Sequence, residues 1–249
     1  RNRVTSLGFG TDSYISGAYI TNVGQEIGQF YGWAYEGIAC TQEDLDNHAT
    51  QEGARIGDCL YKDVSGPDGK PDGKIDANDQ VVLGSGMPKI HFGLNARFEY
   101  KRFDLSIATF GALNYHVSDD IYNSLNSCYG WGNKEVGMLD ANRFSEDGST
   151  YLSNVPRTYV TNSASLGWND LFSSRKIQNA AYWKIANVEL GYNFPNEWFG
   201  KYVSDVRFYV SAQNLHTFTG YHGYNVDYAG GTFTPGYNFC SYPTARTFM

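Results

Sequence analysis

The acids that could do chemistry gather in one stretch, Asp63-Val64-Ser65-Gly66-Pro67-Asp68-Gly69-Lys70-Pro71-Asp72-Gly73-Lys74-Ile75-Asp76-Ala77-Asn78-Asp79. With Asp68 at position 1 of a calcium loop, Asp72 falls at 5, Gly73 at the sharp turn of 6, Lys74 at 7, Ile75 at 8, Asp76 at 9 and Asp79 at 12. Hard carboxylate oxygens at that spacing could wrap one Ca²⁺, which makes Asp68, Asp72, Lys74, Asp76 and Asp79 the candidate metal residues. Two departures stand against the pattern. Lys70 occupies position 3, where an Asp or Asn ligand belongs, and Asp79 is one carbon shorter than a bidentate Glu. Asp63 and Ser65 could substitute if the loop doubles back. An acidic, Gly-rich turn without metal satisfies the same composition; with Ca²⁺, its work would be to stiffen an external loop.

A second group is aromatic. Tyr129, Trp131 and Trp168 in one long connection, and Tyr221, Tyr224 and Tyr228 in another, could stack on sugar rings through their apolar faces. Of these, Tyr129, Trp131, Trp168 and Tyr224 are the candidate ligand-binding residues. Packing within the loops, or contact with a partner, would use the same side chains. No catalytic constellation is legible. Gly8-Phe9-Gly10 and Gly84-Ser85-Gly86 lack the helix of a phosphate or nucleophile motif, and His48, His91, His116, His216 and His222 share no ligand spacing. Neither an enzyme nor an organic cofactor is expected.

The elements that must position these groups are strands. In residues 181–194, Tyr182, Ala186, Val188, Leu190, Tyr192 and Phe194 share one face, and Trp183, Asn187, Glu189, Gly191 and Asn193 share the other; only Lys184 breaks the pattern. Val206, Phe208, Val210 and Ala212 then oppose Arg207, Tyr209, Ser211 and Gln213 with the period of two of a pleated strand. Residues 90–112 repeat the arrangement as a second hairpin. Ile90, Phe92, Leu94, Ala96, Phe98 and Tyr100 oppose His91, Asn95, Arg97 and Glu99; after the Lys101-Arg102 turn, Phe103, Leu105, Ile107 and Thr109 oppose Asp104, Ser106 and Ala108. Two environments give such strands. A soluble sandwich buries the apolar face against a second sheet; a transmembrane barrel shows it to lipid and turns the polar face to a lumen.

Composition narrows the choice of partners. The chain has 249 residues and a formal net charge of −7, which argues against nucleic acid, and no basic patch appears. Charged residues make up 18%, below the roughly 25% of an ordinary soluble domain. Tyr 20, Phe 15, Trp 5 and Gly 28 suit strands with tight turns and long loops. No run approaches the ~18 apolar residues of a membrane helix, a test that barrel strands escape because their lipid-facing residues alternate with polar ones. Cys40, Cys59, Cys128 and Cys240 form no C-x-x-C pair; an oxidising compartment with one of three pairings, and scattered free thiols, both remain open.

Read in order, residues 1–24 suggest a broken strand and a turn, 27–38 an aromatic strand, and 41–53 a short helix capped by Thr41 with Asp44 three residues on. Residues 40–89, 114–180 and 219–242 are long connections, whereas Lys101-Arg102 and residues 195–205 are short turns. Long structureless connections are unusual in compact domains, but short turns alternating with long loops are what an outer-membrane barrel shows. Roughly six strands are legible and lipid-facing barrels close with eight or more, so further chain is expected.

Several stretches, in order and over nearly the whole chain, resemble the C-terminal part of the SusC-like TonB-dependent transporters of Bacteroidetes outer membranes. They are Val23-Gly24-Gln25-Glu26-Ile27-Gly28-Gln29-Phe30-Tyr31-Gly32-Trp33, the segment 57–79, Leu83-Gly84 with Pro88, Phe103-Asp104-Leu105-Ser106, Asn187-Val188-Glu189-Leu190-Gly191-Tyr192, Tyr209-Val210-Ser211-Ala212-Gln213-Asn214-Leu215, and Tyr242-Pro243-Thr244-Ala245-Arg246-Thr247-Phe248. The resemblance implies an all-β fold, the C-terminal segment of an antiparallel transmembrane barrel of about 22 strands, with residues 40–89 and 114–180 as extracellular loops. It implies a plug domain and TonB box, not found in this sequence, a SusD-like lipoprotein partner, outer-membrane lipid around the barrel, and energised import of an oligosaccharide or peptide. The alternatives from other classes are a soluble, calcium-stiffened β-sandwich that binds carbohydrate, and a cell-surface adhesin.

Overall fold

The computed structural model describes residues 2–249 apart from 9, 67, 128–132, 142–148, 159–166, 201, 202, 204, 228 and 229. Among the described residues no helix is long and apolar enough to cross a membrane. In chain order the elements are β1 (Ser13–Ser16), β2 (Tyr19–Asn22), β3 (Gln29–Trp33), β4 (Tyr35–Ile38), α1 (Gln42–Asp46), β5 (Cys59–Tyr61), β6 (Gln80–Ser85), β7 (Ile90–Tyr100) and β8 (Phe103–Leu113). There follow β9 (His116–Asp119), α2 (Asp120–Leu125), α3 (Val136–Ala141), α4 (Gly167–Asp170), β10 (Gln178–Asn179), β11 (Tyr182–Asn193), β12 (Arg207–Thr219), β13 (Tyr237–Asn238) and β14 (Thr247–Phe248). Contacts divide the chain into a loop unit (Arg1–Gly86, Val117–Gln178, Ala229–Cys240) and a sheet unit (Met87–His116, Asn179–Tyr228, Ser241–Met249).

The sheet unit is antiparallel, in the order β14-β12-β11-β8-β7. Its long strands run 11, 11, 12 and 13 residues, beyond the ~5–6 usual in soluble sheets and enough for a tilted bilayer crossing of about 9–11 residues. Register places like with like. Ile107 pairs with Val188 and Leu105 with Leu190, which in turn faces Val210; on the other face Ser106 pairs with Glu189, which faces Ser211. Cross-strand pairs of matched chemistry are what fix a sheet's register.

One expectation needs correction. Residues Tyr182 and Ala186 do not share the face of Val188, because a bulge between Ile185 and Asn187 inserts Ala186 as an extra residue. The insertion reverses the parity of the strand's start. Trp183 and Ile185 pair with Gly111 and Thr109 on the apolar face, while Tyr182 and Lys184 turn to the polar face beside Ala112 and Phe110. The lysine that broke the alternation is the mark of that bulge.

The apolar face is uncovered. Leu94 is 63% exposed, Phe98 60%, Leu190 50%, Phe208 62% and Val210 52%. Leaving a Leu or Phe in water forfeits roughly 1.5–3 kcal/mol of burial each, so a row of them marks a surface made for another apolar phase. A sandwich would have buried these residues. Aromatic rings bracket the row. At one end Phe103 meets Tyr192 at 4.7 Å, and Phe194 lies 6.0 Å from both Trp198 and Phe199; at the other Trp183 stacks on Phe218 at 5.4 Å. From Phe103 to Gly111 the strand rises about 27 Å at ~3.4 Å per residue. With a barrel tilt of ~40° that is about 21 Å, close to the ~25 Å apolar band between the aromatic girdles of outer-membrane barrels.

The loop unit is organised in the opposite sense. Its sheet runs β1-β2-β3-β6, with β4 and β5 paired separately. Phe30 is fully buried between Tyr19, at 5.1 Å, and Phe172, at 5.9 Å. The Phe172 carbonyl accepts from the Trp33 N–H at 3.1 Å and stands 2.1 Å from where a Cβ on Gly32 would be, so only glycine admits this approach. Residues 27–38, expected as one strand, are therefore two. Helix α1 starts as expected. Thr41 accepts from the Asp44 N–H and Asp44 from the Thr41 N–H, a reciprocal capping box.

Candidate functional site

The polar face of the long sheet carries an ion-pair network that crosses three strands. Arg207 of β12 donates to Asp104 of β8 at 2.5 and 3.2 Å and to Glu189 of β11 at 2.6 Å. To reach Asp104 the guanidinium passes over Gly191, where a Cβ would stand 2.5 Å from Arg207 and 2.6 Å from Asp104. The glycine is thus required by the pair above it. Further along, Lys184 is 3% exposed and bonds Asp227 of the last long connection at 2.6 Å. These charges sit opposite the apolar row, which is the arrangement of a barrel wall with a wet lumen.

The acidic turn belongs to the loop unit and does double back. Both Asp63 oxygens accept, from the N–H groups of Asp72 at 3.3 Å and Gly73 at 2.7 Å, and Gly66 packs on the Asp72 side chain, which lies 2.7 Å from a Cβ position there. Asp63, rather than Asp68, therefore opens the compact part of the turn. Asp68 stands on the exposed excursion between Gly66 and Asp72, where the Gly69 N–H donates to the Gly66 carbonyl at 2.8 Å. Asp79 is fully buried and accepts from Val64, Ser65 and Asp76 backbone N–H groups at 2.9, 3.1 and 2.8 Å. Asp76 accepts from the Asn78 N–H, and Asp72 from the N–H of Lys74. Ile75 is buried with Cys59 and Tyr61. The carboxylates thus fold the turn through backbone amides, and among the described residues no three His, Cys, Asp or Glu groups gather as a metal ion needs.

Of the aromatic candidates, Tyr129 and Trp131 lie outside the described residues. Tyr224 is 63% exposed in the sheet unit, whereas Trp168 belongs to the loop unit, where four bonds fix it and its neighbour. Its indole N–H donates to the Glu52 carbonyl at 2.9 Å, and its own carbonyl accepts from the Tyr61 hydroxyl. Burial raises the Tyr61 phenol well above its ordinary range, so it stays protonated as that donor. Next to Trp168, Asn169 donates to Asp58 at 2.7 Å and accepts from the Cys59 N–H at 2.7 Å. Asp58, fully buried, is paired with Arg157 at 2.6 Å. Sequence reading missed Trp33 as a site residue. Its indole N–H donates to the Asp76 carbonyl at 3.1 Å, a contact no local spacing reveals.

Comparison with known proteins is consistent over the whole length. No family model matches the chain. It is 29% identical over 266 aligned residues to TonB-dependent receptor P3 of Formosa agariphila, covering 100% of this chain and 25% of that receptor. It is 26% identical to TonB-dependent receptor SusC of Bacteroides thetaiotaomicron, covering 76% of this chain and 18% of SusC. In structure it matches the RagAB peptide importer in its closed-closed state with a TM-score of 0.73 at 22% identity, over 99% of this chain and 25% of that one. The chain spans about a quarter or less of the length of these proteins, two described as TonB-dependent receptors and one as a peptide importer. Long strands with a bare apolar face, an ionic wall behind it and these likenesses together make the chain an antiparallel transmembrane β-barrel segment, similar over its length to part of the TonB-dependent receptors.

Proposed function

We propose that the protein to which this segment belongs imports an oligosaccharide across the outer membrane, energised through TonB and working with a SusD-like lipoprotein. The observation that carries the reading is the bare apolar face of β7, β8, β11 and β12 backed by the Arg207–Asp104–Glu189 network. Such a wall has a use only around a lumen, and the relatives are TonB-dependent receptors. Import of peptides is the second reading, favoured by the likeness to RagAB, which is described as a peptide importer. On either reading residues 40–89 and 114–180 are extracellular loops. The test is uptake by cells with and without the gene, on oligosaccharides and peptides as sole nutrients, each with TonB intact or deleted. Loss of growth on one substrate in both deletions is the expected outcome; growth unchanged in both ends the reading.

For the acidic turn we propose Ca²⁺ as a stiffening ligand that draws the carboxylates together, with Asp63 rather than Asp68 as the first acid. The support is the doubling back that sets Asp63 against Asp72 and Gly73. An ion at 100 times its Kd adds about 2.7 kcal/mol to stability. Melting the protein in Ca²⁺ and in chelator is expected to show a stabilisation that Asp63→Asn removes and Asp68→Asn keeps. Equal melting with and without Ca²⁺ refutes the ion.

A further inference from the structure

One cleft in the loop unit is claimed by nothing above. It encloses about 720 Å³ and is lined by Trp33, Glu52, Arg55, Asp76, Trp168 and Leu171 among others. That volume falls within the ~300–1,000 Å³ of small-molecule sites. We propose that this cleft is a saccharide subsite, taking a short run of pyranose rings from a neutral oligosaccharide. The proposal rests on reading the protein as an importer and adds to that reading a place where substrate is held on the loop side.

Three observations point to sugar. First, both indole N–H groups are already spent on backbone carbonyls, Trp33 on Asp76 and Trp168 on Glu52. Their orientations are therefore fixed, and what they offer a ligand is flat apolar area, the surface that the C–H face of a pyranose ring covers. Second, the platform is pre-organised. The Trp168 carbonyl is held by the Tyr61 hydroxyl and the neighbouring Asn169 side chain by Asp58 and the Cys59 N–H, so little ordering cost remains for the ligand to meet. Third, the polar lining mixes Arg55 with the acids Glu52 and Asp76. Hydroxyl groups both donate and accept, so a sugar satisfies guanidinium and carboxylates together. A phosphate or carboxylate ligand would face two anions against one cation. A peptide main chain would look for an open strand edge, whereas two indoles, three charged side chains and small or aliphatic residues line this cleft.

The test uses the full-length protein in detergent, titrated with maltohexaose, cellohexaose, laminarihexaose, xylohexaose and mannohexaose by calorimetry and tryptophan fluorescence. A saturable fluorescence change with at least one of them is expected. Trp33→Ala and Trp168→Ala should each weaken that binding tenfold or more, and Trp168→Phe, which keeps a ring, should lose much less. Arg55→Gln, on the polar side of the cleft, should also weaken it and stands in if an alanine variant fails to assemble. The proposal is overturned if none of the sugars binds, if binding survives both alanine variants and Arg55→Gln, or if only a tryptic digest of casein binds. Normal TonB-dependent uptake alongside any of those results removes the subsite and leaves the importer. Sugar binding lost in the variants, without any TonB-dependent uptake, does the reverse.

Discussion

The two units solve folding for opposite solvents. In the loop unit Phe30, Tyr61 and Ile75 are buried and the acids of the turn point outward or bind backbone amides. In the sheet unit Leu94, Phe98, Phe208 and Val210 face out while Asp104 and Lys184 are 5% and 3% exposed. The same residue types thus take inverted positions within one chain. Hydrophobicity alone does not say which side is inside; what decides is whether the phase beyond a strand is water or hydrocarbon.

Substitutions that exchange the two logics should separate the units. The largest effect is expected from Phe30→Ala, which empties the centre of the loop unit and should cost about 3–5 kcal/mol, read as loss of protease resistance in the loops while the barrel still assembles. Next is Leu190→Arg, a charge at mid-strand on the apolar face, which should cost ~2–4 kcal/mol in a bilayer. Urea titration of refolding into vesicles measures it, and Gln213→Arg on the polar face should leave the midpoint nearly unchanged.

A smaller effect is expected at α1, where Thr41→Ala removes one half of the capping box and should cost about 1 kcal/mol. Acid should act there too. The backbone N–H of Thr41 holds the Asp44 carboxyl below its ordinary value of 3.8, against the opposing pull of desolvation. Its contribution is therefore present above that ordinary value and lost as pH falls through the depressed one. Proteolysis near residue 45 at falling pH should accelerate only in that acid range, and Asp44→Asn should remove the dependence.

How much of this could be read from the chain differs between the units for a physical reason. β7 and β8 are strictly alternating, and the expected faces match the observed pairing of Phe92 with Gly111 and Phe98 with Leu105. Periodicity misplaces the start of β11 because it assumes an unbroken pleat, and one inserted residue at Ala186 inverts it. Lys184 carried the only signal. In the loop unit α1 was legible because its cap is local. The rest is held by contacts distant in sequence, such as Asp58 with Arg157, Cys59 with Asn169 and Trp33 with Phe172. Window patterns are blind to these. The acidic turn hid its register for the same reason, since Asp63 meets Gly73 only when the intervening excursion folds away.

The central claim is that the apolar face touches lipid, and a nitroxide scan of residues 182–192 in the bilayer-embedded protein tests it most directly. The expected result is high oxygen accessibility at 183, 185, 188, 190 and 192, with access to a water-soluble nickel complex at 182, 184, 187, 189 and 191, the parity changing across Ala186. Low oxygen accessibility at 188, 190 and 192, or water access at both sets, would contradict it.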